Sequence, residues 1–138
     1  MATVRREGDI AVTREAVLAG LSAHNASRVG PRNTQPLALS VRDDAGTIVG
    51  GLIGELKWEW LYVELLWIDD AHRGAGHGEA LLAMAEQTAR DHGAKGVFLG
   101  TMSIQAPGFY PKLGYREYGL LENYPVTGSN LHHFMKTL

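Results

Sequence analysis

Leu61-Tyr62-Val63-Glu64-Leu65-Leu66-Trp67-Ile68, then Asp69 to His72, then Arg73-Gly74-Ala75-Gly76-His77-Gly78, then Glu79 to Arg90 is the stretch that decides the fold. Its first eight residues are aromatic, β-branched or leucine apart from Glu64, which suits a buried strand. Its last twelve are rich in Ala, Leu, Glu and Gln, all good helix formers. Between them stand glycines at 74, 76 and 78, with no Cβ to keep a ligand from the backbone. The first turn of the helix has N–H groups without intrahelical partners and a partial positive charge, so a phosphate or pyrophosphate suits the junction.

Upstream, Thr13 to Ala23 reads as a helix with Thr13 as N-cap, and Asn25 to Pro36, rich in Pro, Gly, Asn and Arg, reads as a loop that could cover a ligand. Leu37 to Arg42 and Thr47 to Leu56 read as the strands of a hairpin, turned by Asp43-Asp44-Ala45-Gly46. Lys57 to Trp60 is a tight connection into the central strand. Downstream, Asp91-His92-Gly93 ends the helix, and Lys95 to Thr101 predicts a strand parallel to Leu61 to Ile68 through a helical crossover. A short helix over Ala106 to Lys112 and strands over Tyr115 to Leu121 and Leu131 to Lys136 complete the order. The expected fold class is α/β, in the α+β sense of a mixed sheet flanked by helices, in one domain of residues 1–138.

A formal charge of −2 gives no basic footprint for nucleic acid, and no Lys or Arg run suggests a membrane surface. The absence of cysteine excludes disulfides, a thiolate nucleophile and Cys-based zinc sites. Met1 to Asp9 lacks the apolar core of a signal peptide, and no apolar run approaches the ~20 residues of a membrane span. The expectation is a soluble cytoplasmic protein.

An isolated Gly-x-Gly-x-Gly is compatible with a plain tight turn as well as a phosphate site. A dinucleotide turn is disfavoured because Ala94 to Leu99 offers only Lys95 as a charge where an acidic residue should stand ~20 residues on, and no Gly-Lys-Ser/Thr follows. Arg73-x-x-Gly76-x-Gly78, however, resembles the Arg/Gln-x-x-Gly-x-Gly/Ala signature of the GNAT N-acetyltransferase family. Leu65 to His72 resembles the strand and loop that precede that signature. Phe109-Tyr110-Pro111-Lys112-Leu113-Gly114-Tyr115 resembles the family's Phe-Tyr-x-Lys-x-Gly-Phe/Tyr segment, and the likeness runs from about Pro36 to the C-terminus.

The resemblance implies acetyl-CoA as co-substrate. It implies a pyrophosphate at Arg73, Gly74, Ala75, Gly76, His77 and Gly78, and a pantetheine arm along Trp67, Ile68 and Asp69. An oxyanion would be held by the N–H of Trp67 or Ile68. Tyr110 becomes the tyrosine whose hydroxyl meets the CoA sulfur; the alternative is that Phe109-Tyr110 packs a short helix on the sheet. Ser103 stands where many members place an Asn that contacts the cofactor, with Gln105 as a possible substitute.

Acetyl transfer to an amine needs a deprotonated nucleophile, a stabilised oxyanion and a proton for the departing thiolate. Glu64 is the candidate base, because a carboxylate has no structural reason to sit between Val63 and Leu65; the alternative is an ion pair with a neighbouring strand. Alternation puts Tyr62, Glu64 and Leu66 on one face. In several family members residues at these offsets handle the amine proton, whereas a tyrosine such as Tyr62 read alone is more often a core aromatic with its hydroxyl at the rim.

Trp58, Trp60, Tyr62 and Tyr124 are candidate walls of an acceptor pocket. His72, His77, His132 and His133 lack zinc-helix spacing, and adjacent strand residues face opposite ways, so no metal is expected, although one of His132 and His133 can face the acceptor.

The expectation is therefore an N-acetyltransferase acting by direct attack of a primary amine, small-molecule rather than protein-borne. A protein Lys or N-terminal acetyltransferase and a non-catalytic acyl-CoA-binding module are the alternatives, and a homodimer fits the fold.

Overall fold

The computed structural model describes residues 1–138, which form two compact units, Met1–Arg32 and Asn33–Leu138. The first contains one helix, α1 (Ile10–Val29), with no buried residue. Its N-cap is Asp9, whose carboxylate accepts from the Val12 N–H at 3.1 Å, and not Thr13, whose hydroxyl donates to the Asp9 carbonyl from inside the helix. The helix also runs six residues past Ala23, through much of the expected loop, to Gly30 at φ 84°. Asn25 and Ser27 look like loop residues, yet Ala26 and Arg28 are good helix formers, and the left-handed residue that ends the helix is Gly30.

The second unit is a six-stranded mixed sheet in the order β1-β2-β3-β4-β6-β5. Its strands are β1 (Gln35–Arg42), β2 (Ile48–Lys57), β3 (Trp60–Ile68), β4 (Gly96–Met102), β5 (Arg116–Glu122) and β6 (Asn130–Thr137). β1 and β2 form the expected hairpin, and the Asp43 carboxylate closes its turn by accepting from the N–H groups of Ala45 and Thr47. Only β3 and β4 are parallel, joined through α2 (His77–Asp91) as the crossover rule requires. The short helix expected over Ala106 to Lys112 is instead two 3-10 turns, Pro107–Phe109 and Pro111–Leu113. Pro111 has no N–H to carry a helical hydrogen bond past the first turn.

One face of this sheet carries the core. α2 buries Leu81, Leu82, Ala85, Glu86 and Ala89, a stripe at helical spacing, against Leu52, Leu56, Leu61, Val63, Val97, Leu99 and Phe134. Each fully buried Leu contributes about 2 kcal/mol of transfer free energy. The carboxylate in that stripe is fully engaged. Glu86 accepts from the Tyr115 hydroxyl at 2.9 Å and from Lys136 Nζ at 2.7 Å, and Lys136 also donates to the Leu113 carbonyl at 2.9 Å. Burial and the Glu86 carboxylate together push the Tyr115 phenol far above its ordinary range. This network ties α2, the second 3-10 turn and β6 together around Tyr110.

Candidate active site

β3 and β4 are hydrogen-bonded neighbours over four residue pairs only, from Trp60↔Gly96 to Val63↔Leu99. Beyond them β3 continues to Ile68 on β2, and β4 continues to Met102 on β6, with no pairing to each other. The strands splay, and the inner edges of Glu64–Ile68 and Gly100–Met102 border a gap. Its cause is local. Ile53 pairs with Leu65 and Gly54 with Val63, so Glu64 is the extra residue of a β-bulge.

The bulge corrects the expected strand alternation. Leu66 pairs with the fully buried Leu52 and packs on the core face, while Tyr62 pairs with Glu55 on the other face. Tyr62, Glu64 and Leu66 therefore do not share one face. Glu64 is exposed and makes no ion pair, so the neighbouring-strand partner considered for it is absent. Tyr62 lies in the closed half of the strand pair, its ring 5.0 Å from Phe98 with Lys57 Nζ 4.7 Å above it. Leu65 and Trp67 lie on the face away from α2. With Ile48, Ile53 and Ser40 they help line a concavity of about 500 Å³.

At the end of β3 stands the glycine turn. Asp69 accepts from the Ala71 N–H and meets His72 Nδ1 at 3.3 Å, which shapes the 3-10 turn Asp70–His72. Arg73 Nε donates to the Ile68 carbonyl at 3.0 Å, pinning the turn to the end of β3, and its guanidinium lies 3.1 Å from Asp70. Gly74 and Gly76 have φ of 79° and 84°, and a Cβ on either would touch no other atom of the protein. These glycines are required by their backbone conformation and not by crowding. The N–H groups from Gly74 to Glu79 make no backbone hydrogen bond outside the helix, and Gly76 caps α2 without a side chain. Gly78 serves close approach, since a Cβ there would meet the Phe109 ring at 3.1 Å.

The inner edge of β3 contributes too. The Asp69 N–H donates to the Val49 carbonyl, so by strand alternation Trp67 also faces β2, and Ile68 turns its N–H towards the gap. Of the two amides considered for an oxyanion, only that of Ile68 has this orientation.

Tyr110 sits on the α2 side of β4, stacked on Phe134 at 5.6 Å and edge-on to Tyr115 at 5.8 Å. It is 7 % exposed, and burial pushes its phenol up to about 12. Its hydroxyl donates to no protein group. No fully buried side-chain oxygen or nitrogen lacks a partner, so that hydroxyl reaches the surface. The arrangement thus has an apolar ring fixed on all sides and a free donor at its tip.

The remaining candidates fall elsewhere. The Ser103 hydroxyl accepts from the Asn130 N–H at 2.8 Å, latching β6 to the end of β4, and Gln105 Oε1 accepts from Thr101 and the Met102 N–H. Trp60 opens β3 and Trp58 lies in the turn before it, so both stand at the closed end of the strand pair, Trp60 ~13 Å along the strand from Glu64. The structure has no cluster of His, Cys, Asp or Glu able to hold a metal. Sequence reasoning overlooked Glu86 and the pair His132–Glu117. The helical spacing Leu82, Glu86, Ala89 places that carboxylate on the buried stripe, which is a readable signal.

The chain thus combines a parallel pair opened by a bulge, a glycine turn with unpaired backbone amides after the open strand, and a buried tyrosine whose hydroxyl has no protein partner. Comparison with known proteins gives the class. The profile described as the acetyltransferase (GNAT) family matches residues 14–115. Blasticidin-S acetyltransferase of Streptomyces morookaense is 44% identical over 96 residues, covering 69% of this chain and 70% of that protein. An acetyltransferase of Agrobacterium fabrum is 37% identical over 111 residues, covering 80% and 81%. The crystal structure of an acetyltransferase from Bacillus cereus superposes with a TM-score of 0.90 at 32% identity, covering 98% of each chain. The chain belongs to the GNAT family: it is an acetyltransferase that uses acetyl-CoA. No helix is long and apolar enough to cross a membrane.

Proposed function

We propose that this acetyltransferase modifies a primary amine of a small molecule by direct attack on the thioester, with residues 1–138 acting as one domain. The observation that carries the reading is the gap itself, bordered by Glu64 on β3 and followed at the end of that strand by the glycine turn. Arg73 to Gly78 hold the pyrophosphate through backbone N–H groups, and Trp67, Ile68 and Asp69 run beside the pantetheine arm. The Ile68 N–H, aimed into the gap, stabilises the oxyanion. Glu64 draws the cationic amine and takes a proton from it, with Tyr62 at the closed end behind. Ser103 fixes the loop after β4 by accepting from the Asn130 N–H and keeps its own O–H to donate to the cofactor.

Tyr110 acts as a hydrogen-bond donor to the departing sulfur. A phenol at about 12 keeps its proton through neutral pH. Full transfer to a thiolate with a pKa of about 8.5 is uphill by about 3.5 pH units in the resting site, so the donor stabilises developing charge first.

Similarity to a protein named for acetylating blasticidin S supports a small amine acceptor. The test is CoA thiol release with blasticidin S, 1,4-diaminobutane and a lysine-containing peptide. Saturable release with the small amines and none with the peptide is expected. Release with the peptide alone would make this a protein acetyltransferase. Tight acetyl-CoA binding without release on any amine would leave a binding module.

A further inference from the structure

We propose that His132, held by Glu117, is a second proton acceptor for the acyl transfer, working from the β6 side of the gap while Glu64 works from the β3 side. The inference rests on the amine acetylation proposed above. His132 is the register partner of Thr101, the second residue beyond Leu99, where β3–β4 pairing ends. It therefore stands ~7 Å past the last closed pair along the strand, and one strand spacing of ~5 Å from the rim of the gap. Its side chain lies on the α2 face with that of Phe134, two residues on, and their rings are stacked nearly parallel, centroids 6.2 Å apart at 16°. Phe134 in turn stacks on Tyr110. The imidazole and the phenol share one aromatic support on one face of the sheet.

The ring's orientation and tautomer follow from its partner. His132 Nδ1 is in hydrogen-bond contact with Glu117 Oε1. A carboxylate only accepts, so Nδ1 carries the hydrogen and Nε2, which has no partner, presents a lone pair. Among the charged and titratable groups around it, β5 supplies Glu117, β4 supplies none beside the neutral Thr101, and the 3-10 segment supplies Tyr110 through Phe134. On its own strand, His133 faces the other way, towards Tyr118 at 5.9 Å. The His132 side chain is 19% exposed and that of Glu117 43%, so a proton received at the ring has an exit to water.

An ammonium acceptor loses two protons in becoming an amide. One leaves before attack, to Glu64. The amine lone pair then forms the C–N bond, the C–S bonding pair goes to sulfur, and the second proton passes from the nitrogen to Nε2. Sulfur takes a proton from Tyr110, which recovers one from solvent. Two protons leave nitrogen, one ends on CoA, and one is released to water.

The test compares the pH dependence of kcat/KM for blasticidin S and 1,4-diaminobutane in wild type, His132→Asn, Glu117→Gln and Glu64→Gln, with acetyl-CoA affinity and Tm measured alongside. His132→Asn should lower kcat/KM at least tenfold near pH 7, through kcat, with acetyl-CoA affinity within twofold. Glu117→Gln should lower kcat in the same direction by a smaller factor, since the ring loses the carboxylate that orients it, and Glu117→Asp should restore part of the loss. A His132→Asn profile superimposable on wild type overturns the dyad. Loss of Tm with unchanged kinetics makes the pair structural and overturns it equally. Absence of wild-type turnover on both amines overturns the proposed acceptor class instead, and the dyad with it.

Discussion

The two halves of the β3–β4 pair use the same strands for opposite ends. From Trp60 to Val63 the pairing is closed, and Leu61, Val63, Val97 and Leu99 are all at most 3 % exposed. From Glu64 to Ile68 one extra residue opens it, and backbone groups that would complete a ladder face a gap instead. The difference shows how a sheet can open one pair of strands without losing its core. The closed half and α2 carry stability, and the open half exposes hydrogen-bonding edges that are costly in a buried sheet unless something pairs with them. Substitutions should therefore separate into those that unfold the protein and those that leave it folded and inactive.

The largest effect belongs to the closed side. Lys136→Met removes the cation from Glu86, leaving a carboxylate that is 6 % exposed beside Tyr115. Stability should fall by about 3 kcal/mol, the low end for a broken buried pair because the Lys136 side chain keeps 25% of its surface and Arg90 remains 3.8 Å from the carboxylate. Urea unfolding measures this, and the folded fraction should bind acetyl-CoA as wild type does. A loss under 1 kcal/mol would mean that the network is not what holds α2 to β6.

The same region sets an alkaline limit. The Tyr110 pKa is raised in the folded state, from about 10 to about 12, so the folded protein holds its proton more tightly than the unfolded chain. The stabilisation is fully present below pH 10 and is lost as the pH rises towards 12, by about 3 kcal/mol at 1.36 kcal/mol per unit. Tyr115, raised further, acts in the same direction. Tm should drop steeply above pH 10, and a flat Tm up to pH 12 would contradict the burial of both rings.

Gly76→Val breaks the open side alone. A valine at φ 84° is strained, yet its Cβ meets nothing within the fold, so the turn should re-form its backbone locally and withdraw its amides from the anion. Acetyl-CoA affinity should fall at least a hundredfold, or about 3 kcal/mol, by calorimetry, with Tm within a few degrees of wild type. Retained affinity would remove the glycine turn from the phosphate site.

The motifs of the open side lie within short stretches of sequence, whereas the support beneath it does not. Arg73-x-x-Gly76-x-Gly78 and Phe109-Tyr110 are local, and their chemistry can be read from residue type and order. The mixed sheet and its single crossover were legible for the same reason, because strand and helix periods sit side by side around the glycines. The bulge was not. Glu64 looks like any polar residue in a strand, and its extra place appears only when β3 is aligned with β2, so the alternation drawn through it failed for Leu66. Glu86–Lys136 and His132–Glu117 join residues fifty and fifteen apart, a pairing that no local pattern encodes. The end of α1 is hidden for a different reason: the Pro, Gly, Asn and Arg of Asn25 to Pro36 suggest a loop, whereas the helix runs on until Gly30 stops it.

Tyr110→Phe is the finest cut between the two halves, because the residue belongs to both. Its ring packs with Phe134 and Tyr115, and Phe keeps that packing; its hydroxyl has no protein partner, so removing it leaves no orphaned group. Stability near pH 7 should change by no more than about 0.5 kcal/mol, as for a substitution that disturbs no packing. Turnover should fall some tens of times, about 2 kcal/mol in activation free energy, with acetyl-CoA affinity within twofold. The alkaline fall in stability should weaken at the same time, since one of the two raised phenols is gone. A variant that lost stability at neutral pH would show the hydroxyl serving the closed half. One that kept full turnover would leave the thiolate to be protonated by water, and the gap would then owe its chemistry to the β-strand edges alone.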